Sequence, residues 1–192
     1  MENRKGDWIE TVSHQQFWPL DPRPEDIHLD DIIHSLSMQV RFTGHTFEPY
    51  TIAQHSVLVA DRAKEISGIT NPTKTEMVYL WALLHDATEA YLVDVPRPIK
   101  GFLTNYKKIE DRLMENICIR FNLPIKMPPE IKQADHDLLV TEAAYYFPIK
   151  RRPDRWSEKG ELLNINVKAW SHRVAGIMFK GALYKAFAEY SI

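Results

Sequence analysis

Between Tyr50 and Gly68 the chain reads YTIAQHSVLVADRAKEISG, with apolar residues recurring at helical spacing between a polar start and a glycine. Thr51 and Gln54 have the spacing of a capping box, whose two side chains satisfy orphan amides of the first turn, and Gly68 supplies a stop. His55 then falls within the first turn. The next helix is predicted to open the same way at Thr73 and Glu76, with Met77, Leu80, Trp81 and Leu84 along one side. Continued, that stripe meets His85 and Thr88. Upstream, IHLDDIIHSLSMQVRF predicts the first helix, with Ile32, Ile33, Leu36 and Val40 on one side. Downstream, a fourth helix is predicted over 106–121 and a fifth from Pro128 and Pro129, where proline is tolerated in a first turn. A last helix is expected over 167–190, after the polar connection FPIKRRPDRWSEKGE. Ahead of all these, residues 8–12 and 16–18 carry aromatic and β-branched side chains around a polar centre and predict a small hairpin, ended by prolines 19, 22 and 24. The expected fold is mainly α with this N-terminal β-hairpin. It is read as one domain over 1–192, with a core over about 27–146, an arm over 1–26 and a C-terminal connection and helix over 147–192.

Composition narrows the functional classes. A chain of 192 residues that is 44% hydrophobic can bury one good core. The formal charge of −2, without a long basic run, argues against nucleic-acid polymers as partners. The single cysteine, Cys118, cannot form an internal disulfide and lies in the apolar pattern of the fourth helix, so it reads as a buried structural thiol. The start MENRKGDWIE lacks the apolar core of a signal peptide, and no stretch reaches the roughly 18 to 20 apolar residues needed to span a bilayer. The expected compartment is the cytoplasm, with no membrane partner.

Chemistry concentrates where the apolar stripe meets acids, in LLHDATEAYLVDVPRPIK. A carboxylate on or beside a core stripe is costly unless it is paired, hydrogen-bonded or bound to a metal. On one helix, His85 and Glu89 would share a face and Asp86 would project about 100° around the axis. His55 offers a second imidazole from another helix, and Asp135, in IKQADHDLLVTEAAYY, a second carboxylate from a third. Asp135 is preferred over Asp137 because it shares a helical face with Ile131, Leu138, Leu139 and Glu142. Asp137 is expected to be a solvated surface acid. Two histidines and two aspartates suit one divalent transition metal ion such as manganese, iron, cobalt, nickel or zinc.

The segments SLSMQVRFTGH, YTIAQHS, LLHDATEAYLVDVPRPIK and ADHDLLVTE, spread in this order over 35–142, resemble the bacterial and phage HD-domain phosphohydrolases of the 5′-deoxynucleotidase-like group. The resemblance implies an HD-type helical bundle in which His55, His85, Asp86 and Asp135 ligate one metal ion. It also implies that Glu89 works in catalysis and that Asp94 lies at the substrate's sugar. Arg41 is a candidate for a bidentate phosphate contact, and Phe42 for an apolar wall against base or deoxyribose. The family's wall is tryptophan-like, so with Phe42 the choice between deoxyribose and ribose stays open. Arg97, Lys100 and the loop over 149–155 add positive charge that meets either phosphate or water. His45 lies near Arg41, whereas His14, His28, His34, His136 and His172 have no spacing argument.

A divalent ion would lower the pKa of a bound water and offset charge on phosphate oxygens, while Glu89 orients that water or protonates the leaving oxygen. The expected activity is removal of the 5′-phosphate from deoxyribonucleoside monophosphates by the metal-activated water. The alternatives are a phage-type triphosphohydrolase acting on deoxynucleoside triphosphates such as dATP, and a nucleotide-binding regulator without turnover. The expected partner is a small deoxynucleotide. A homodimer is also expected, from amphipathic helices and aromatics that include Trp156 and Trp170.

Overall fold

A computed structural model describes residues 4–147, 160 and 162–190. The hairpin forms where expected but is shorter: β1 (Ile9–Glu10) and β2 (Gln16–Phe17) pair antiparallel, with Ile9 opposite Phe17. Such a ribbon is marginal alone. It is held by the buried ring of Phe17, stacked on Tyr91 at 3.9 Å, and by Ser13, whose N–H and hydroxyl both donate to Asp31 at 2.9 Å. Asp31 belongs to α1 (Leu29–Met38), which buries Ile32, Ile33 and Leu36. The helix stops short of the expected 42. From Gln39 the chain is extended: Gln39 O accepts from Ile52 N at 3.1 Å, Arg41 N donates to Tyr50 O at 2.8 Å, and Val40 bridges to Thr51. The backbone bonds that would lengthen α1 go instead to the approach to the next helix.

That helix, α2 (Ile52–Ser67), is the centre of the bundle, packing against α3 (Pro72–Leu83), α7 (Pro129–Tyr146) and α8 (His172–Tyr190) as well as α1. The fully buried small residues Ala53, Ala60 and Ala63 permit the close approach. Thr51 caps the helix by accepting from Gln54 N at 3.1 Å, and Gly68 ends it at φ +57°. Gln54 does not complete a capping box. Its side chain donates to Lys168 O at 2.9 Å and accepts from Trp170 N at 2.8 Å, fastening the extended segment before α8. That segment includes buried Val167 and keeps α8 from starting before His172.

Helix α3 is capped by Asn71, which accepts from Lys74 N at 3.0 Å with Pro72 in the first turn, rather than by Thr73 and Glu76. Glu76 pairs with Lys64 at 2.6 Å. Asn71→Ala is therefore expected to cost about 1 kcal/mol. Thr73→Ala should stay within about 0.5 kcal/mol, and urea midpoints of the two variants distinguish these positions.

The third helix also ends earlier than its stripe suggested. Residues 84–88 form a turn, and only α4 (Glu89–Leu92) resumes, so His85 and Glu89 do not share one helix face. Val93 follows at φ +62°, a strained value for a β-branched residue, before α5 (Arg97–Lys100) and α6 (Tyr106–Arg120). On α6, Cys118 is buried and its thiol is pushed up to about 11 by that burial, as befits a structural cysteine.

Asp137 on α7 is a correction to the surface acid expected. It is 6% exposed, paired with Arg62 at 2.9 Å and hydrogen-bonded by Gln133 at 2.7 Å. Being off the α7 stripe did not place it in water, because α2 covers that side with a matching guanidinium. Trp170 is partly buried against the core. Trp156 and the loop over 149–155 lie outside the described residues. No helix among the described residues is long and apolar enough to cross a membrane.

Candidate metal centre

Three separate elements bring the candidate donors together. His55 comes from the first turn of α2, Asp135 from α7, and His85 and Asp86 from the turn after α3. Ligand atoms of His55, His85 and Asp135 all lie within 4.8 Å of one another. His55 Nε2 is 3.1 Å from Asp135 Oδ1, and Asp86 Oδ2 reaches within 3.2 Å of His85 Nε2 and 3.8 Å of His55 Nε2. The turn makes this possible. Amides of Leu84, Ala87 and Glu89 bond to carbonyls three residues back, at 3.1, 3.0 and 2.9 Å, which swings Asp86 in beside His85 instead of around a helix.

Both imidazoles are oriented from behind. His85 Nδ1 lies 2.7 Å from Ala82 O, an arrangement in which Nδ1–H donates and Nε2 offers a lone pair. That Nε2 is buried and without a hydrogen-bond partner among the described residues, its 3.2 Å approach to Asp86 falling outside hydrogen-bond geometry. His55 is fully buried, with Nδ1 2.7 Å from Glu142 Oε1. An orphaned imidazole nitrogen, a second imidazole and two carboxylates form a donor set suited to a divalent transition metal.

Electrostatics agree with that fit. Burial pushes the Asp86 carboxyl up, but His85 and His55 outweigh it and hold it below the usual range. Asp135 behaves alike, burial opposing and His55 prevailing. For His55, burial and Arg41 favour the neutral ring, yet Glu142 and Asp135 raise it to about 9. The cluster is therefore a place that attracts positive charge.

Around this centre stand the other expected residues. Arg41, in the extended stretch between α1 and α2, pairs with Glu142 at 3.2 Å and Asp86 at 3.7 Å. Its guanidinium carbon sits 5.5 Å from the Phe42 ring, which meets Phe147 edge-on at 5.4 Å. Phe42, Thr43 and Gly44 all have positive φ, at 55°, 55° and 74°, so this rim is a left-handed turn that costs the first two residues strain. Glu89 opens α4 at 7% exposure, and its Oε2 has no hydrogen-bond partner among the described residues. Burial, then the charges of Asp86 and Asp94, keep its carboxyl well above the ordinary range. Asp94 follows strained Val93 and is raised mainly by burial, with Arg41 and Lys100 opposing. Lys100 is engaged by Glu110 at 2.7 Å, and His45 is exposed.

Glu142 was read from the sequence only as a member of the α7 stripe. It is fully buried, and its Oε1 accepts from the Tyr50 hydroxyl at 2.7 Å as well as facing His55. Its position seven residues after Asp135, two helical turns on, is the signal that places both on one face.

Residues 32–148 match the model of the 5′-deoxynucleotidase YfbR-like family. The chain belongs to that family. The matched segment contains all eight candidate residues and Glu142. Among similar proteins, uncharacterized protein YfdR of Escherichia coli K12 is 36% identical over 135 residues, 70% of each chain. Uncharacterized protein RCAP_rcc00048 of Rhodobacter capsulatus is 38% identical over 130 residues, 66% of this chain and 64% of the relative. The 5′-deoxynucleotidase ECA3034 of Pectobacterium atrosepticum is 32% identical over 101 residues, 48% of this chain and 47% of that enzyme.

Proposed function

We propose that the protein is an HD-type metal-dependent phosphohydrolase that removes the 5′-phosphate from deoxyribonucleoside 5′-monophosphates. The observation that carries the reading is the convergence of His55, His85 and Asp135 donor atoms within 4.8 Å, with Asp86 alongside and His85 Nε2 without a hydrogen-bond partner among the described residues. The family match and the 5′-deoxynucleotidase relative support the substrate class. His55, His85, Asp86 and Asp135 would hold one divalent ion, of manganese, iron, cobalt, nickel or zinc. When bound, such an ion supplies an activated water and a counter-charge for phosphate oxygens.

The chain's own residues do the rest. Arg41 brings the site's guanidinium to the phosphate, and Phe42 forms an apolar wall beside it. Asp94 accepts from a sugar hydroxyl. Glu89, whose carboxyl is pushed upward by burial and its acidic neighbours, donates its proton to the 5′-oxygen as the phosphorus–oxygen bond breaks. Water adds to phosphorus, and the products are the deoxynucleoside and inorganic phosphate. We also expect a homodimer working on the cytoplasmic nucleotide pool, and a monomeric mass in solution at working concentration contradicts the dimer.

The test is product analysis by mass spectrometry, using metal-stripped protein restored with manganese, cobalt or zinc and offered deoxy- and ribonucleoside mono- and triphosphates. Phosphate released from deoxynucleoside monophosphates is the expected result. Consumption of triphosphates alone reassigns the activity, and metal binding without turnover of any of them contradicts an enzyme of nucleotides.

A further inference from the structure

We propose that Glu142 is the positioning residue that aligns a metal ligand and the phosphate-binding arginine at once. This rests on the reading of the site given above. One oxygen, Oε1, receives the Tyr50 hydroxyl and faces His55 Nδ1, each at 2.7 Å, while the other, Oε2, lies 3.2 Å from Arg41 Nε. The carboxylate is fully buried, so no water substitutes for these partners at low cost. Three groups from two parts of the chain meet on this carboxylate of α7: the segment entering α2 gives Arg41 and Tyr50, and α2 gives His55.

The consequences follow from which atom each oxygen faces. With Nδ1–H directed to Oε1, His55 keeps Nε2, the one of its two ring nitrogens free to serve the centre, toward Asp135 and His85. A carboxylate behind a ligating imidazole also raises its basicity. On the other side, Oε2 and Arg41 Nε form an ion pair outside hydrogen-bond geometry, and this charge attraction, with Asp86 at 3.7 Å, holds the guanidinium beside the donor cluster. Tyr50 fixes the rotation of the carboxylate in turn. Through Glu142, the His55 imidazole and the Arg41 guanidinium share one anchor.

Glu142→Gln is the informative variant because it preserves shape while removing the charge and turning an NH2 toward Arg41 or His55. Metal-stripped wild type, Glu142→Gln and Asp137→Asn are titrated calorimetrically with Co2+. Asp137 is the matched control, a buried carboxylate on the same helix paired with Arg62 instead of the site. Expected is a loss of about tenfold or more in Co2+ affinity for Glu142→Gln. Asp137→Asn is expected to bind as wild type does. KM for a deoxynucleoside monophosphate should also rise about tenfold in Glu142→Gln, from the displaced Arg41.

Long-range 15N spectra of the Zn2+-loaded wild type supply a readout that needs no variant to fold. They should show His55 coordinated through Nε2 with its proton on Nδ1. Coordination through Nδ1, or a folded Glu142→Gln that binds Co2+ like wild type, overturns the proposal. Metal affinity and ring geometry as expected, without phosphate release from any nucleotide, would leave the positioning role intact and remove the hydrolase reading.

Discussion

His85→Ala is expected to reduce metal affinity by more than the 10 to 100-fold typical of losing an outer hydrogen-bond partner, because it removes a donor and not its support. His85 Nε2 has no hydrogen-bond partner among the described residues, and its ring is already fixed by Ala82 O at 2.7 Å. Turnover should fall with metal content. The fold should survive, since the backbone bonds of the turn at 84–89 involve no imidazole. Metal analysis of the purified variant beside a thermal melt checks both halves. A variant that retains one ion per chain contradicts the assignment of this ring.

Glu89→Gln separates chemistry from binding. Its side chain is absent from the tight donor cluster, so metal affinity should stay close to that of the parent. The amide cannot supply a proton, and turnover is expected to drop about 10² to 10⁴-fold. Stability should hold or rise, because the substitution replaces a buried acid that Asp86 and Asp94 repel when it is ionised. A joint loss of metal and of the cooperative melt would instead make Glu89 a structural residue.

Much of this arrangement could be read from residue patterns, for reasons that also mark where reading stops. Helix α2 announces itself at both ends, since Thr51 and Gly68 act on their own neighbours. The starts of α6 and α7 likewise follow local rules of periodicity and proline placement. The end of α3 does not. LLHDATEAYL keeps a helical apolar rhythm through Thr88, yet the chain turns after Leu83, and no glycine or proline signals the break. The expected donors still meet, but through a tight turn instead of a shared helix face.

Gln54 shows the same limit, its capping role lost to Lys168 and Trp170, more than a hundred residues on. Asp137 found a cation on a neighbouring helix, which a single helical wheel cannot reveal. Glu142 and His55 are 87 positions apart, so their pairing belongs to the packing of α2 on α7.

On the reading proposed above, this site hydrolyses a phosphate ester and needs a divalent ion held by the cluster. The most direct test is to titrate metal-stripped protein with Co2+ while following phosphate release from a deoxynucleoside monophosphate, with Asp86→Ala run in parallel. Expected are no release without metal, a rise that saturates at one ion per chain, and no release from Asp86→Ala at any added metal. Equal release from the metal-free protein, or from the variant, would contradict it.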